Sequence, residues 1–163
     1  MGFLIDDADS LNVLDSTLTK LLIDVYVGEN YVEPEVAEKL FEATSVKSRG
    51  IIICAVEKQS LTLAGCVIVV PSNSPACKIA QENESEMHLL CVGTKYRKKG
   101  LGRLLISSAI EMAIHSGNKK MILWTQQSMR QAQRLYSSVG FVHIKNITRN
   151  NREFIVYEKT LKA

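Results

Sequence analysis

"KYRKKGLGRLLI", residues 95–106, places Lys95, Arg97, Lys98 and Lys99 directly before two glycines and an apolar run. Leu101, Leu104, Leu105, Ala109, Ile110 and Ala113 recur at three- and four-residue steps, which predicts a helix over 101–116 closed by Gly117. The N-terminus of a helix already carries partial positive charge, so cations crowded there are unfavourable unless an anion offsets them. The first helical amides lack internal partners and form an anion site with the dipole. Gly100 and Gly102 let a ligand approach the backbone, and Arg97, Lys98, Lys99 and Arg103 supply surrounding charge. Two phosphate-binding patterns fail. A dinucleotide fingerprint needs a third glycine where Leu105 stands, and a P-loop needs Gly-Lys-Ser/Thr where the chain reads Gly102-Arg103-Leu104.

Working outward, the preceding run "EMHLLCV" (86–92) reads as a central strand and "KMILWTQ" (120–126) as another. A helix joins them, which favours a parallel crossover. Upstream, Leu11 to Val25 follow a helical period that ends near Gly28, and Pro34 opens a second helix. "IIICAVEK" and "LAGCVIVV" predict a hairpin turning near Gln59–Ser60. Residues 71–85 read as a long loop. A short helix over 128–138, stopped by Gly140, precedes two strands around Asn150–Asn151. The order β-α-α-β-β-β-α-β-α-β-β predicts an α/β fold with a mixed sheet and one domain over residues 1–163.

What remains around the glycines is R-x-x-G-x-G after L-x-V, standing as Leu90-Cys91-Val92-Gly93-Thr94-Lys95-Tyr96-Arg97-Lys98-Lys99-Gly100-Leu101-Gly102. This resembles the signature of the GNAT superfamily, the GCN5-related N-acetyltransferases, with Thr94 in place of a frequent proline. A second block, "AQRLYSSVGFV" (132–142), is similar to the family's later A-x-x-L-Y-x-x-x-G-F element. The resemblance covers residues 50–160 well and the first 45 loosely. It implies a GNAT-type sheet of about six to seven strands flanked by about four helices.

The resemblance also implies acetyl-CoA as acyl donor, with no metal or redox cofactor. Main-chain amides of residues 97–102 would hold the pyrophosphate, and the backbone of Leu90, Cys91 and Val92 would pair with the pantetheine arm. Many members carry an asparagine where this chain has Met129; Gln126, Gln127 or Gln131 could substitute. Tyr136 is the candidate acid, because a phenol of pKa about 10 can protonate a departing thiolate. For the base, strict alternation along "EMHLLCV" puts Glu86, His88, Leu90 and Val92 on one face and Met87, Leu89 and Cys91 on the other. Glu86, His88 or neither is the base; a solvated Glu86 and a structural His88 are the plain alternative. In "YVGENYVE", residues 26–33, Tyr26, Glu29, Tyr31 and Glu33 could frame a cationic amine, or form only a polar turn. His115 and His143 read as surface residues.

The expected acceptor is a small-molecule amine or a protein amino group, its identity open. Two rivals stand beside the enzyme: a non-catalytic acyl-CoA-binding regulator, and a nucleic-acid module using the basic run. The last is disfavoured, because few aromatics accompany the charges and the net charge is only +3. No apolar run approaches the roughly 18 residues that span a bilayer, so no membrane role is expected. The four cysteines form no C-x-x-C pair and the three histidines are widely spaced, which predicts reduced thiols, no metal site and a cytoplasmic location. A homodimer is possible.

Overall fold

The computed structural model describes residues 2–162; Met1 and Ala163 lie outside them. Strand β1 (Phe3–Asp7) is followed by helices α1 (Asp15–Gly28), α2 (Pro34–Leu40) and α3 (Ala43–Lys47). Strands β2 (Ile51–Glu57), β3 (Leu63–Pro71) and β4 (Glu84–Val92) come next. A short 3₁₀ turn (Thr94–Tyr96) leads into α4 (Leu101–His115), then β5 (Lys120–Gln126), α5 (Arg130–Ser138), β6 (Val142–Arg149) and β7 (Arg152–Thr160). The sequence reading missed only α3, whose five residues are too short to show a period.

The strands form one sheet in the order β1-β2-β3-β4-β5-β7-β6. Among the described residues β4–β5 is the one parallel pair, as a helical crossover requires. That pairing is brief. It runs from Glu84 opposite Lys120 to Glu86 opposite Ile122 and then stops, although β4 continues to Val92 and β5 to Gln126. Beyond Glu86 the sheet therefore opens between its two central strands.

The helices cover both faces. Leu101, Leu105, Ile106, Ala109 and Ala113 of α4 pack on Met87, Met121, Leu123, Tyr136 and Phe141. On the opposite face Leu18, Leu22 and Val25 of α1 pack with Phe41, Cys54, Cys66, Ile68 and Cys91. Each fully buried leucine contributes about 2 kcal/mol of hydrophobic stabilisation. Cys54, Cys66 and Cys91 stand opposite one another on β2, β3 and β4, all free thiols and all buried. The last hairpin turns through Asn150 (φ 50°) and Asn151 (φ 62°), the two left-handed residues of a tight turn that asparagine tolerates.

One expectation of the sequence is corrected here. Cys66 pairs with Cys91, but Ile68 pairs with His88, so β4 holds one extra residue. Leu89 lies within it at φ 52°. This β-bulge breaks the two-residue alternation. Leu90 and Val92 pack on the α4 face with Met87, whereas Leu89 and Cys91 face α1. The four residues Glu86, His88, Leu90 and Val92 therefore do not share a face.

Candidate active site

Four elements converge where β4 and β5 part. The bulge lets the outer half of β4 present its carbonyls to side chains. The Leu90 carbonyl accepts from the Tyr26 hydroxyl at 3.2 Å, and the Val92 carbonyl from Arg97 Nε at 3.3 Å. Arg97 also forms an ion pair with Glu29. Gln126 Nε2 and Arg152 both donate to the Tyr31 carbonyl, at 3.0 and 2.7 Å. The α1–α2 connection is thus tied to β4 on one side of the opening and to β5 and β7 on the other.

At the base of the opening, Glu86 is fully buried, contrary to the expectation of a solvated strand start. The 72–83 loop folds back over it. Glu86 Oε2 accepts the amides of Lys78 (2.9 Å), Ile79 (2.5 Å) and Ala80 (2.8 Å) and the Cys77 thiol (3.2 Å). Its Oε1 meets His88 Nε2 at 2.8 Å. Burial alone would raise this carboxyl, but His88 and the loop amides outweigh it and hold the pKa at about 2. Oε2 is fully engaged, and Oε1 holds the His88 ring.

His88 is fixed from both ends. Its Nε2–H donates to Glu86, and Arg49 donates to its Nδ1 at 3.2 Å, so the ring is the neutral Nε2–H tautomer. Burial first, and then the Arg49 charge, hold its pKa below the usual range against the pull of Glu86. The Trp124 ring of β5 stands 4.9 Å from it, edge-on. Sequence reasoning missed Arg49 and Trp124. Nothing in their own neighbourhoods signals that the α3–β2 turn and β5 deliver them to His88.

Tyr136, on α5, is buried against Phe141 and Tyr157. Burial pushes its pKa well above 10, so the phenol stays protonated. Among the described residues its hydroxyl makes no hydrogen bond, and the one fully buried side-chain oxygen left without a partner is Ser85 Oγ, not this phenol. Burial first, then Cys91 and Tyr136, hold the Tyr26 phenol well above its usual pKa.

The loop before α4 turns through two left-handed residues. Lys98 and Gly100 both take left-handed backbone, at φ 61° and 77°. The amides of Leu101, Gly102 and Arg103 have no protein acceptor among the described residues. Space beside Gly100 is open, with nothing within 4 Å of where a Cβ would stand. Gly102 has a different reason: its Cβ would meet Leu135 of α5 at 2.9 Å, so it lets two helices pack. Lys98 and Lys99 are exposed, Leu101 is core, and Arg103 bonds Ser138 at 2.9 Å. Cys91 is buried on the α1 face, so only its backbone is available.

The four substrate-side candidates fall in different surroundings. Tyr26 and Tyr31 border the opening, Glu29 is taken by Arg97, and Glu33 is exposed at the start of α2. Met129 caps α5, with its sulfur accepting from Thr125 at 3.3 Å, while Gln133 binds the carbonyls of Gln126 and Gln127. His115 and His143 are exposed. No group of three or more His, Cys, Asp or Glu among the described residues is placed to hold a metal. Nor is any of their helices long and apolar enough to cross a membrane.

The chain and its fold are similar to those of known proteins. The acetyltransferase (GNAT) family model matches residues 16–141. The chain belongs to the GNAT family. An uncharacterized N-acetyltransferase of Schizosaccharomyces pombe is 32% identical over 108 residues, covering 66% of this chain and 61% of that protein. N-alpha-acetyltransferase 30 of Xenopus laevis is 34% identical over 61 residues, 37% of this chain and 22% of that one. The chain thus spans less than two thirds of these relatives' lengths. Among solved structures, a GNAT-family acetyltransferase of Staphylococcus aureus superposes with a TM-score of 0.77 at 18% identity, over 99% of this chain and 100% of that one. The PaiA N-acetyltransferase of Thermoplasma acidophilum, solved in complex with coenzyme A, gives 0.71 at 19% identity, over 98% and 99%. At these identities the likeness is one of fold.

Proposed function

We propose that this chain is an acetyl-CoA-dependent N-acetyltransferase that passes the acetyl group directly to a primary amine. The observation that carries the reading is the opening between β4 and β5, with unsatisfied amides at Leu101–Arg103 and a Tyr136 phenol that makes no hydrogen bond among the described residues. Bound acetyl-CoA supplies an activated thioester. The amides of residues 101–103 fit its pyrophosphate, with Lys98 and Lys99 adding charge at the rim. Leu90 and Val92 offer strand-edge backbone to its pantetheine arm.

Tyr136 holds a proton at Oη for the departing sulfur. Glu86, buried and tied to the loop amides and to His88, positions rather than reacts. It fixes His88 as the tautomer whose Nδ1 is an acceptor. His88 serves as base once the Arg49 N–H leaves its Nδ1, whose single lone pair it occupies; Nδ1 then relieves the amine of its proton as the C–N bond forms and the C–S bond breaks.

The test combines two measurements. Acetyl-CoA at 100-fold excess over its dissociation constant should stabilise the chain by about 2.7 kcal/mol, read as a thermal shift. Release of free CoA thiol in the presence of an amine library should then identify an acceptor. Absence of any shift would refute the donor assignment; a shift without release from any amine would favour a non-catalytic acyl-CoA-binding protein.

A further inference from the structure

Arg49 lies in the turn between α3 and β2, half-buried. One of its five N–H donors reaches His88 Nδ1 at 3.2 Å. Among the described residues no carboxylate pairs with it. A guanidinium withdrawn from water without a counter-charge is costly, and it keeps its proton regardless.

Arg49 is not alone. The Lys78 charge also bears on His88. Across the opening, the Arg149 guanidinium lies over the Trp124 ring at 5.9 Å, and Trp124 stands against His88. Arg152 donates to the Tyr31 carbonyl and, at 3.2 Å, to Gln126 Oε1. Neither arginine is paired with a carboxylate among the described residues. Of the acids nearby, Glu86 is held by the loop amides and His88 and Glu29 by Arg97; Glu153, which accepts from the Thr148 hydroxyl at 3.3 Å, and the exposed Glu33 leave the three arginines and Lys78 in excess. A cationic acceptor such as a polyamine would enter this surface against its charge.

We infer that the acceptor amine carries a carboxylate, received by the unused fork of Arg49 with Arg149 and Arg152 around it. The inference rests on the transferase reading above and narrows its substrate class. A planar carboxylate matches a guanidinium fork through two parallel N–H bonds. Because Arg49 touches His88, a carboxylate held there sets an amine a few bonds away beside the base. Free acidic amino acids and acidic peptide N-termini share this chemistry.

The experiment measures CoA-thiol release by the full chain with aspartate and glutamate, their methyl esters, Asp- and Glu-bearing peptide amides, and spermidine. The free acids or the acidic peptides should exceed the esters and spermidine at least tenfold in kcat/KM. Which of the two is used tells amino acid from peptide, and either supports the inference. Arg49→Gln should lower kcat/KM for the favoured carboxylate amine at least tenfold more than for its methyl ester, so that the preference for the carboxylate collapses. Arg49→Lys should recover part of the loss, and both variants should keep the wild-type thermal shift with acetyl-CoA. Equal or better use of esters or spermidine overturns the inference and leaves the transferase reading standing. Acetyl-CoA binding with no transfer to any amine overturns both.

Discussion

Replacing Glu86 with glutamine tests the buried carboxylate that ties the 72–83 loop to the sheet. Glu86 Oε2 receives three loop amides and a thiol, and Oε1 receives His88. An amide can keep its oxygen towards the loop, but its NH₂ then faces the His88 N–H. The ring must change tautomer to accept, and its Nδ1–H then meets the Arg49 donor. One clash or the other is unavoidable. The size of the effect follows from the folded carboxyl titrating at about 2 against an ordinary 4.5, a gap worth about 3 kcal/mol. The folded pKa lies below the unfolded one, so this stability is present above pH ~4.5 and is lost as pH falls through about 2. Urea melts at pH 7 should show Glu86→Gln destabilised by about 3 kcal/mol, with Tm lower by roughly 6–12 °C. The gap between wild type and variant should narrow as pH is lowered from about 5 towards 2. A loss under about 1 kcal/mol at pH 7, or a gap that is the same at pH 7 and pH 3, would refute the reasoning.

Tyr136→Phe should lower kcat about 10²- to 10⁴-fold while leaving the acetyl-CoA thermal shift in place, because only a proton donor is removed; unchanged turnover would end the acid assignment. Gly100→Ala places a side chain on backbone at φ 77° and should cost about 1 kcal/mol in urea melts, together with weaker acetyl-CoA binding measured by calorimetry. Gly102→Val should instead act through Leu135, separating α4 from α5 and destabilising the fold by about 1–3 kcal/mol with or without acetyl-CoA. Arg97→Ala releases Glu29 and should raise hydrogen exchange in residues 28–33 without a comparable rise in β4.

Much of the architecture was legible because its signals are local. The helical period of Leu101 to Ala113, the β-rich runs and the glycine stops are written within ten or fifteen residues each. The loop before α4 was legible for the same reason: its cations, glycines and helix start are contiguous. What the sequence concealed is the product of strand register and distant chain. The alternation rule fails at Leu89 because one extra residue in β4 transfers Leu90 and Val92 to the other face. Glu86 read as costly to bury, since its partners are main-chain amides, which leave no residue signature. Glu29 looked ready for a cationic amine until Arg97, 68 positions away, was brought to it. Arg49 drew no attention, because its importance lies in lacking an acidic neighbour, which only the folded arrangement displays.

The row of thiols across the sheet gives the protein a built-in set of reporters. Cys54, Cys66 and Cys91 sit side by side on three successive strands, each sealed from solvent in the folded state. None can be alkylated until its own strand opens. With each cysteine kept singly in an otherwise thiol-free chain, trapping rates would measure how often β2, β3 and β4 part from their neighbours. Cys91 lies on the outer half of β4, beyond the last pairing with β5. If the split in the sheet is a soft seam, that thiol reacts first. If it reacts in step with the other two, the opening is as rigid as the rest of the sheet.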